Sequence, residues 1–86
     1  MEFVKVDLKS KTSCTFDCPQ GIISWYKKDG NGNKEGIFNQ FGKYDLHPKS
    51  LTIKSLTQAD EGLYLCKDFL TTSVIKNFRL VLESML

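Results

Sequence analysis

Few side chains in this sequence carry chemistry of their own. Those that stand out are three cysteines, Cys14, Cys18 and Cys66, the lone histidine His47, and the adjacent carboxylates Asp60 and Glu61. Catalysis needs a nucleophile with its base, paired carboxylates, or a metal held in a cleft. His47 precedes a proline in an apparent loop and reads as a surface residue rather than a base. Asp60 and Glu61 enter a turn and point to different sides. A zinc site built from the cysteines and His47 lacks four ligands at a recognised spacing. No catalytic, metal-binding or cofactor-binding residue is therefore expected. What remains is sulfur chemistry. Three cysteines leave one over whichever two join, so the third is either a small buried hydrophobe or a site of pairing between molecules.

The elements that position these residues are strands. Phe3 to Leu8 alternates apolar and polar and reads as an edge strand. Thr12, Cys14, Phe16 and Cys18 share one face of the next, which turns both upstream cysteines inward. Pro19-Gln20-Gly21 makes a turn. Ile22 to Lys27 follows as a strand with Ile23 and Trp25 inward and Ile22, Ser24 and Tyr26 outward. The run KDGNG from Lys28 has Asp-Gly and Asn-Gly steps that favour left-handed backbone, so a hairpin is expected there. Neither a buried parallel strand before it nor a helix after it supports a phosphate loop. Gly36-Ile37-Phe38 and Lys43 to Leu46 read as short strands. Leu51, Ile53 and Leu56 line the buried face of another, Asp60-Glu61-Gly62 turns the chain, and Tyr64 and Cys66 alternate inward on the next. Val74 to Glu83 is the last strand, with Phe78, Leu80 and Leu82 toward the core. No repeat or low-complexity tract interrupts this all-β pattern.

Leu51 to Cys66, LTIKSLTQADEGLYLC, fills the pattern L-x-I-x-x-L followed by D-x-G-x-Y-x-C. It resembles the E strand, E–F corner and F strand of an immunoglobulin-superfamily domain. Trp25 in ISWYKK is similar to the buried C-strand tryptophan of that family, and the resemblance covers nearly the whole chain. It implies an immunoglobulin-like β-sandwich of two antiparallel sheets, with residues 1–86 as a single domain slightly shorter than the family's roughly 100 residues. The short stretch from Trp25 to Cys66 fits a compact intermediate or constant-2 type. The last strand lacks the F-G-x-G motif of rearranging antigen receptors.

The resemblance also assigns structural roles. Tyr64 is the tyrosine of the corner, its hydroxyl bonding back to nearby backbone. Lys43 pairs with Asp60, as a partly exposed pair contributing about 0.2–1 kcal/mol. Cys66 is the second cysteine of the bridge between the sheets, on which Trp25 packs. Spacing to Trp25 favours Cys14 as its partner. The apolar Phe16 two residues before Cys18, and the Cys-Pro step after it, favour Cys18. Cys18–Cys66 is the preferred pairing and Cys14 the alternative. A bridge of this kind typically contributes about 2–4 kcal/mol.

Charge and hydropathy narrow the class further. The net charge is +2, the basic residues are scattered, and no aromatic-basic stripe of a nucleic-acid reader is present, so nucleic acid is not an expected partner. No apolar run is long enough to cross a bilayer and the N-terminus lacks a signal pattern. The chain therefore reads as soluble. Met1 directly before a strand reads as a start placed on a mature ectodomain, its leader and membrane anchor lying outside this sequence. No N-x-[ST] sequon occurs.

Strand parity yields the functional expectation. With Tyr64 and Cys66 inward, Leu63, Leu65, Lys67 and Phe69 face outward, beside Tyr26 on the Trp25 strand, strand C of the family, and Ile75 on the last strand, Val74 to Glu83, which corresponds to the family's strand G. The outer face of the GFC sheet is expected to display Tyr26, Leu65, Lys67, Phe69 and Ile75, with Lys27 and Arg79 at the rim. Exposed apolar clusters ringed by charge mark contact surfaces. Immunoglobulin-superfamily receptors commonly engage partners through this sheet, so the resemblance implies a cell-surface immune or adhesion receptor ectodomain, on the extracellular face of the plasma membrane or secreted. Its partner is a protein ligand or co-receptor, or a second chain in a homo- or heterodimer, with no cofactor and no small-molecule substrate. Two rivals are an intracellular structural spacer, in which free thiols are normal, and a soluble cytokine-capturing decoy.

Overall fold

The computed structural model describes residues 1–38 and 42–83. Eight strands follow in order: β1 Glu2–Asp7, β2 Cys14–Asp17, β3 Ile23–Lys28, β4 Lys34–Ile37, β5 Tyr44–His47, β6 Ser50–Ile53, β7 Gly62–Asp68 and β8 Val74–Glu83. They form two layers, a five-stranded sheet β1-β8-β7-β3-β4 and a three-stranded sheet β2-β6-β5. This is the sandwich that the cysteine, tryptophan and corner pattern implied. Every pairing is antiparallel except β1 with β8, which run parallel at the sheet's edge.

Alternation explains the core. Val6 on β1, Phe16 on β2, Trp25 on β3, Leu51 and Ile53 on β6, Tyr64 and Cys66 on β7, and Phe78, Leu80 and Leu82 on β8 form one buried cluster. Phe16 is its centre, stacked on Phe78 at 4.8 Å and tilted against Tyr64 at 5.2 Å and Trp25 at 6.3 Å. Such offset and tilted ring pairs suit the aromatic quadrupole. Trp25 is 3% exposed and stands directly opposite Cys66 in register. Its indole N–H is buried without an acceptor among the described residues, a cost carried by the packing around it.

Cys18 and Cys66 are joined across the two sheets with their Cα atoms 6.5 Å apart. Cys18 lies one residue past β2 and continues its ladder, donating its N–H to the Lys49 carbonyl. The 48-residue separation closed by this bridge corresponds to about 4 kcal/mol in the chain-entropy account of disulfide stabilisation. Cys14 is free and buried. Its thiol sits opposite Ile53 in the β2–β6 register, away from Cys66.

The E–F corner joins the layers. Thr57 and Asp60 bracket a one-turn 3₁₀ helix, Gln58–Asp60. The Tyr64 hydroxyl donates to the Asp60 carbonyl at 2.5 Å, while the Asp60 carboxylate accepts from Lys43 Nζ at 2.6 Å and from the Thr57 N–H at 2.9 Å. Asp60 is only 5% exposed, so this ion pair is drier than the partly exposed pair that the sequence implied. Gly62 opens β7 at φ +148, backbone that L side chains rarely adopt. One expectation changes nearby. Leu56 does not lie on the same strand as Leu51 and Ile53, because β6 ends at Ile53 and Ser55 turns through φ +50. The odd spacing from Ile53 to Leu56 needs that break for Leu56 to return against the core.

Candidate functional site

The outer surface of the five-stranded sheet is the face left open by this packing. Register lays its side chains in rows. Gly36, Tyr26, Leu65 and Asn77 stand opposite one another across β4, β3, β7 and β8. One row toward the β3–β4 turn come Lys34, Lys28, Leu63 and Arg79. One row the other way, Ser24, Lys67 and Val74 align.

Of the residues expected at this face, Tyr26 and Lys67 are on it and interact. The Lys67 ammonium lies 5.2 Å from the Tyr26 ring centroid, a cation–π contact that holds both at the surface. Phe69 is 65% exposed just past the end of β7, its N–H bonded to the Ile22 carbonyl at 2.7 Å.

Three expectations need correction. Leu65 faces outward but is 1% exposed, because the middle residue of the middle strand is flanked by Tyr26 and Asn77 and keeps almost no free surface. It supports the face rather than contacting anything beyond it. Ile75 is half-buried and packs against the core cluster. A register shift at Cys66/Lys67 leaves Ile75 as the extra residue on β8, between Val74 and Lys76. A bulge of this kind breaks the alternation on which its outward placement relied. Lys27 shares the inward parity of Trp25, donating to the Ala59 carbonyl at 2.7 Å with its ammonium over the Tyr64 ring.

Other residues take those places. Phe38, just past β4, is 79% exposed. Its ring folds back over Gly36, where an added methyl would stand 3.2 Å from Phe38 and 3.8 Å from the Tyr26 ring. Both rings thus border the space that Gly36 leaves open. Val74, Ile22 and Leu70 are exposed toward the same end of the sheet. Parity through the hairpin was the available signal for Lys28 and Lys34: if Tyr26 faces out, so does Lys28, and the turn sets Lys34 opposite it. For Phe38 no such signal existed, since its position depends on the ring folding back.

At the turn end a cleft of about 760 Å³ opens between the β3–β4 loop and the start of β7, lined by Lys28, Asp29, Glu35, Glu61, Leu63 and Arg79. Two of its three carboxylates are engaged locally. Asp29 Oδ1 accepts from the Asn31 and Asn33 N–H groups, which hold its pKa below the ordinary carboxylate value, and Glu61 Oε2 accepts from the Leu82 N–H at 2.8 Å. The cleft continues the cationic row of the face rather than forming a separate enclosed site.

The fold is that of immunoglobulin domains in solved structures. The chain is similar to Drosophila semaphorin 2a, with 18% identity and a TM-score of 0.80 over 99% of this chain and 14% of that one. It is similar to the N-terminal four immunoglobulin domains of Dscam1 isoform 8.4, with 22% identity and a TM-score of 0.79 over 99% of this chain and 23% of that one. It is also similar to the CD2-binding domain of CD58, with 20% identity and a TM-score of 0.66 over 94% of this chain and 53% of that one. The chain thus spans about a seventh of the semaphorin and under a quarter of the Dscam1 chain. No protein-family model and no curated protein matches the sequence.

Proposed function

We propose that the 86 residues act as one immunoglobulin-like domain of a receptor or adhesion protein, and that it works by protein recognition through the outer face of the five-stranded sheet. The observation that carries this reading is the half-buried Tyr26 ring and the exposed Phe38 ring side by side at Gly36, with the Lys67 ammonium over the Tyr26 ring. Aromatic side chains with a polar or charged rim are the usual anchors of protein contacts. The contact set is Tyr26, Phe38, Lys67, Phe69 and Val74; Leu65 and Ile75 are left out of it by burial.

The Cys18–Cys66 bridge supports an oxidising compartment, hence the extracellular side of the membrane or secretion, over an intracellular spacer. One domain of similar fold is named for binding CD2 and others come from a cell adhesion molecule, which supports a protein as the partner here. The test is a tetramer of the chain screened against an array of expressed ectodomains, repeated with Tyr26→Ser combined with Phe38→Ser. A signal on the array that is lost in the variant, with thermal unfolding nearly unchanged, is expected. A signal that survives removal of both rings puts the contact elsewhere, and a blank array removes the recognition reading.

A further inference from the structure

Resting on the reading of this sheet as a protein-binding face, we propose that the partner presents an acidic surface to it, received by Lys28, Lys34, Lys67 and Arg79. The register sets Lys28 directly opposite Lys34 on neighbouring strands, with Arg79 two strands along in the same row. Like charges directly opposite each other on one face destabilise a sheet. Lys67 reaches the same place from the next row, and its ammonium, followed by that of Lys28 among the charges, pushes the Lys34 pKa down.

Among the described residues no carboxylate forms an ion pair with this cluster. The ion pairs among the described residues are Lys43–Asp60, Lys54–Asp45 and Lys76–Glu2, and none involves the four cations. Of the carboxylates next to these cations in sequence, Asp29 and Asp68 are turned to backbone N–H groups of their own loops, and Glu35 stands opposite Lys27 in the register, on the parity opposite to that of Lys28 and Lys34. The four positive charges exceed the whole chain's net charge of +2, so the remainder of the molecule is net negative and the charge is polarised onto this face. A second copy docked through the same face would set cations against cations, which excludes it as the favoured occupant. An acidic protein surface relieves the repulsion, and Tyr26, Leu63 and Phe38 between the charges provide the apolar contact that a bare polyanion would not use. Charge of this kind acts chiefly on association rate and its salt dependence.

A phage-displayed library of random peptides selected on the immobilised chain tests this without a known partner, with a heparin hexasaccharide and phosphatidylserine vesicles as parallel probes. The expected result is peptides rich in Asp and Glu that shift the NMR signals of Tyr26, Lys28, Lys34 and Lys67. Their binding should fade as salt is raised to about 0.5 M and weaken roughly tenfold or more in Lys28→Glu/Lys34→Glu/Lys67→Glu. Neutral peptides that shift the same residues overturn the acidic partner and leave the face standing. Peptides that map to another surface remove both. Hexasaccharide or vesicle binding tighter than that of the selected peptides, at physiological salt, assigns the cations to a polyanion and also overturns the proposal. Circular dichroism of the charge-reversed variant establishes that it is folded in each comparison.

Discussion

Cys14 is the residue whose chemistry the fold has most changed. It is a free thiol in the core beside the Asp60–Tyr64 corner, and burial, with the nearby Asp60 charge, raises its pKa from 9.0 to about 11. A group whose folded pKa is raised contributes stability that is complete below the unfolded pKa and is lost as pH rises through the folded one, because the unfolded chain gives up its proton first. The window here therefore opens near pH 9 and closes near 11. Burial also raises the Tyr64 phenol pKa, which adds a further alkaline loss that is common to any variant keeping Tyr64. Cys14→Val should leave the urea midpoint at neutral pH within about 1 kcal/mol of the parent, and should lose less stability than the parent between pH 9 and about 10.5. Equal losses in the two proteins would show that Cys14 does not titrate in this window. Depressed nucleophilicity follows from the same burial, so the thiol is a packing group and not a reactive one.

At the scale of elements, the corner between β6 and β7 and the bulge in β8 decide most. The corner is legible in D-x-G-x-Y-x-C through its resemblance to the immunoglobulin pattern, and in the structure each of its residues answers a local need. Asp60 receives Lys43 and the Thr57 N–H, Gly62 takes a backbone angle closed to other residues, and Tyr64 bonds back over the turn. Asp60→Ala would leave the partly buried Thr57 N–H without its acceptor and strand the Lys43 ammonium, with an expected loss of about 2–3 kcal/mol in urea unfolding. Lys43→Met should cost less, since Asp60 keeps the Thr57 bond. A loss under about 0.5 kcal/mol for Asp60→Ala, the range of an ordinary surface substitution, would demote the corner to a passive turn. The β8 bulge has no comparable local signature. Its effect, turning Ile75 to the core margin, arises from how β8 meets β7, and strict alternation along one strand does not contain that information.

The molecule as a whole is a sandwich with one open, positively charged face. Crowding on that face has a consequence for the isolated domain, independent of any partner. Lys34→Glu turns a like-charged cross-strand pair with Lys28 into an opposite-charged one. Thermal unfolding of the variant at low salt is expected to move up, with the difference shrinking as salt screens the pair. A variant that melts earlier, or a difference insensitive to salt, would mean that the cations do not repel one another as their register implies. The same substitution is expected to weaken acidic peptides selected on the parent, so that stability and binding move in opposite directions, as they do where a site holds charges at the expense of the fold.

Alternation and turn chemistry, which act over a few residues, determined most strands and their inward faces from the sequence alone, while the resemblance to the immunoglobulin pattern carried the two-layer architecture and the corner. Tertiary structure decided what depends on neighbours from other strands. Cys18 rather than Cys14 reaches Cys66, since both face inward and only their positions along the strand, Cys14 opposite Ile53 and Cys18 beside Lys49, tell them apart. Leu65 is covered by its flanking strands while Phe38 is not. Lys28, Lys34 and Lys67 become a single cationic cluster through pairing of three strands. Parity assigns a side chain to a side of the sheet, but how much of it remains accessible is set by what the adjacent strands place beside it.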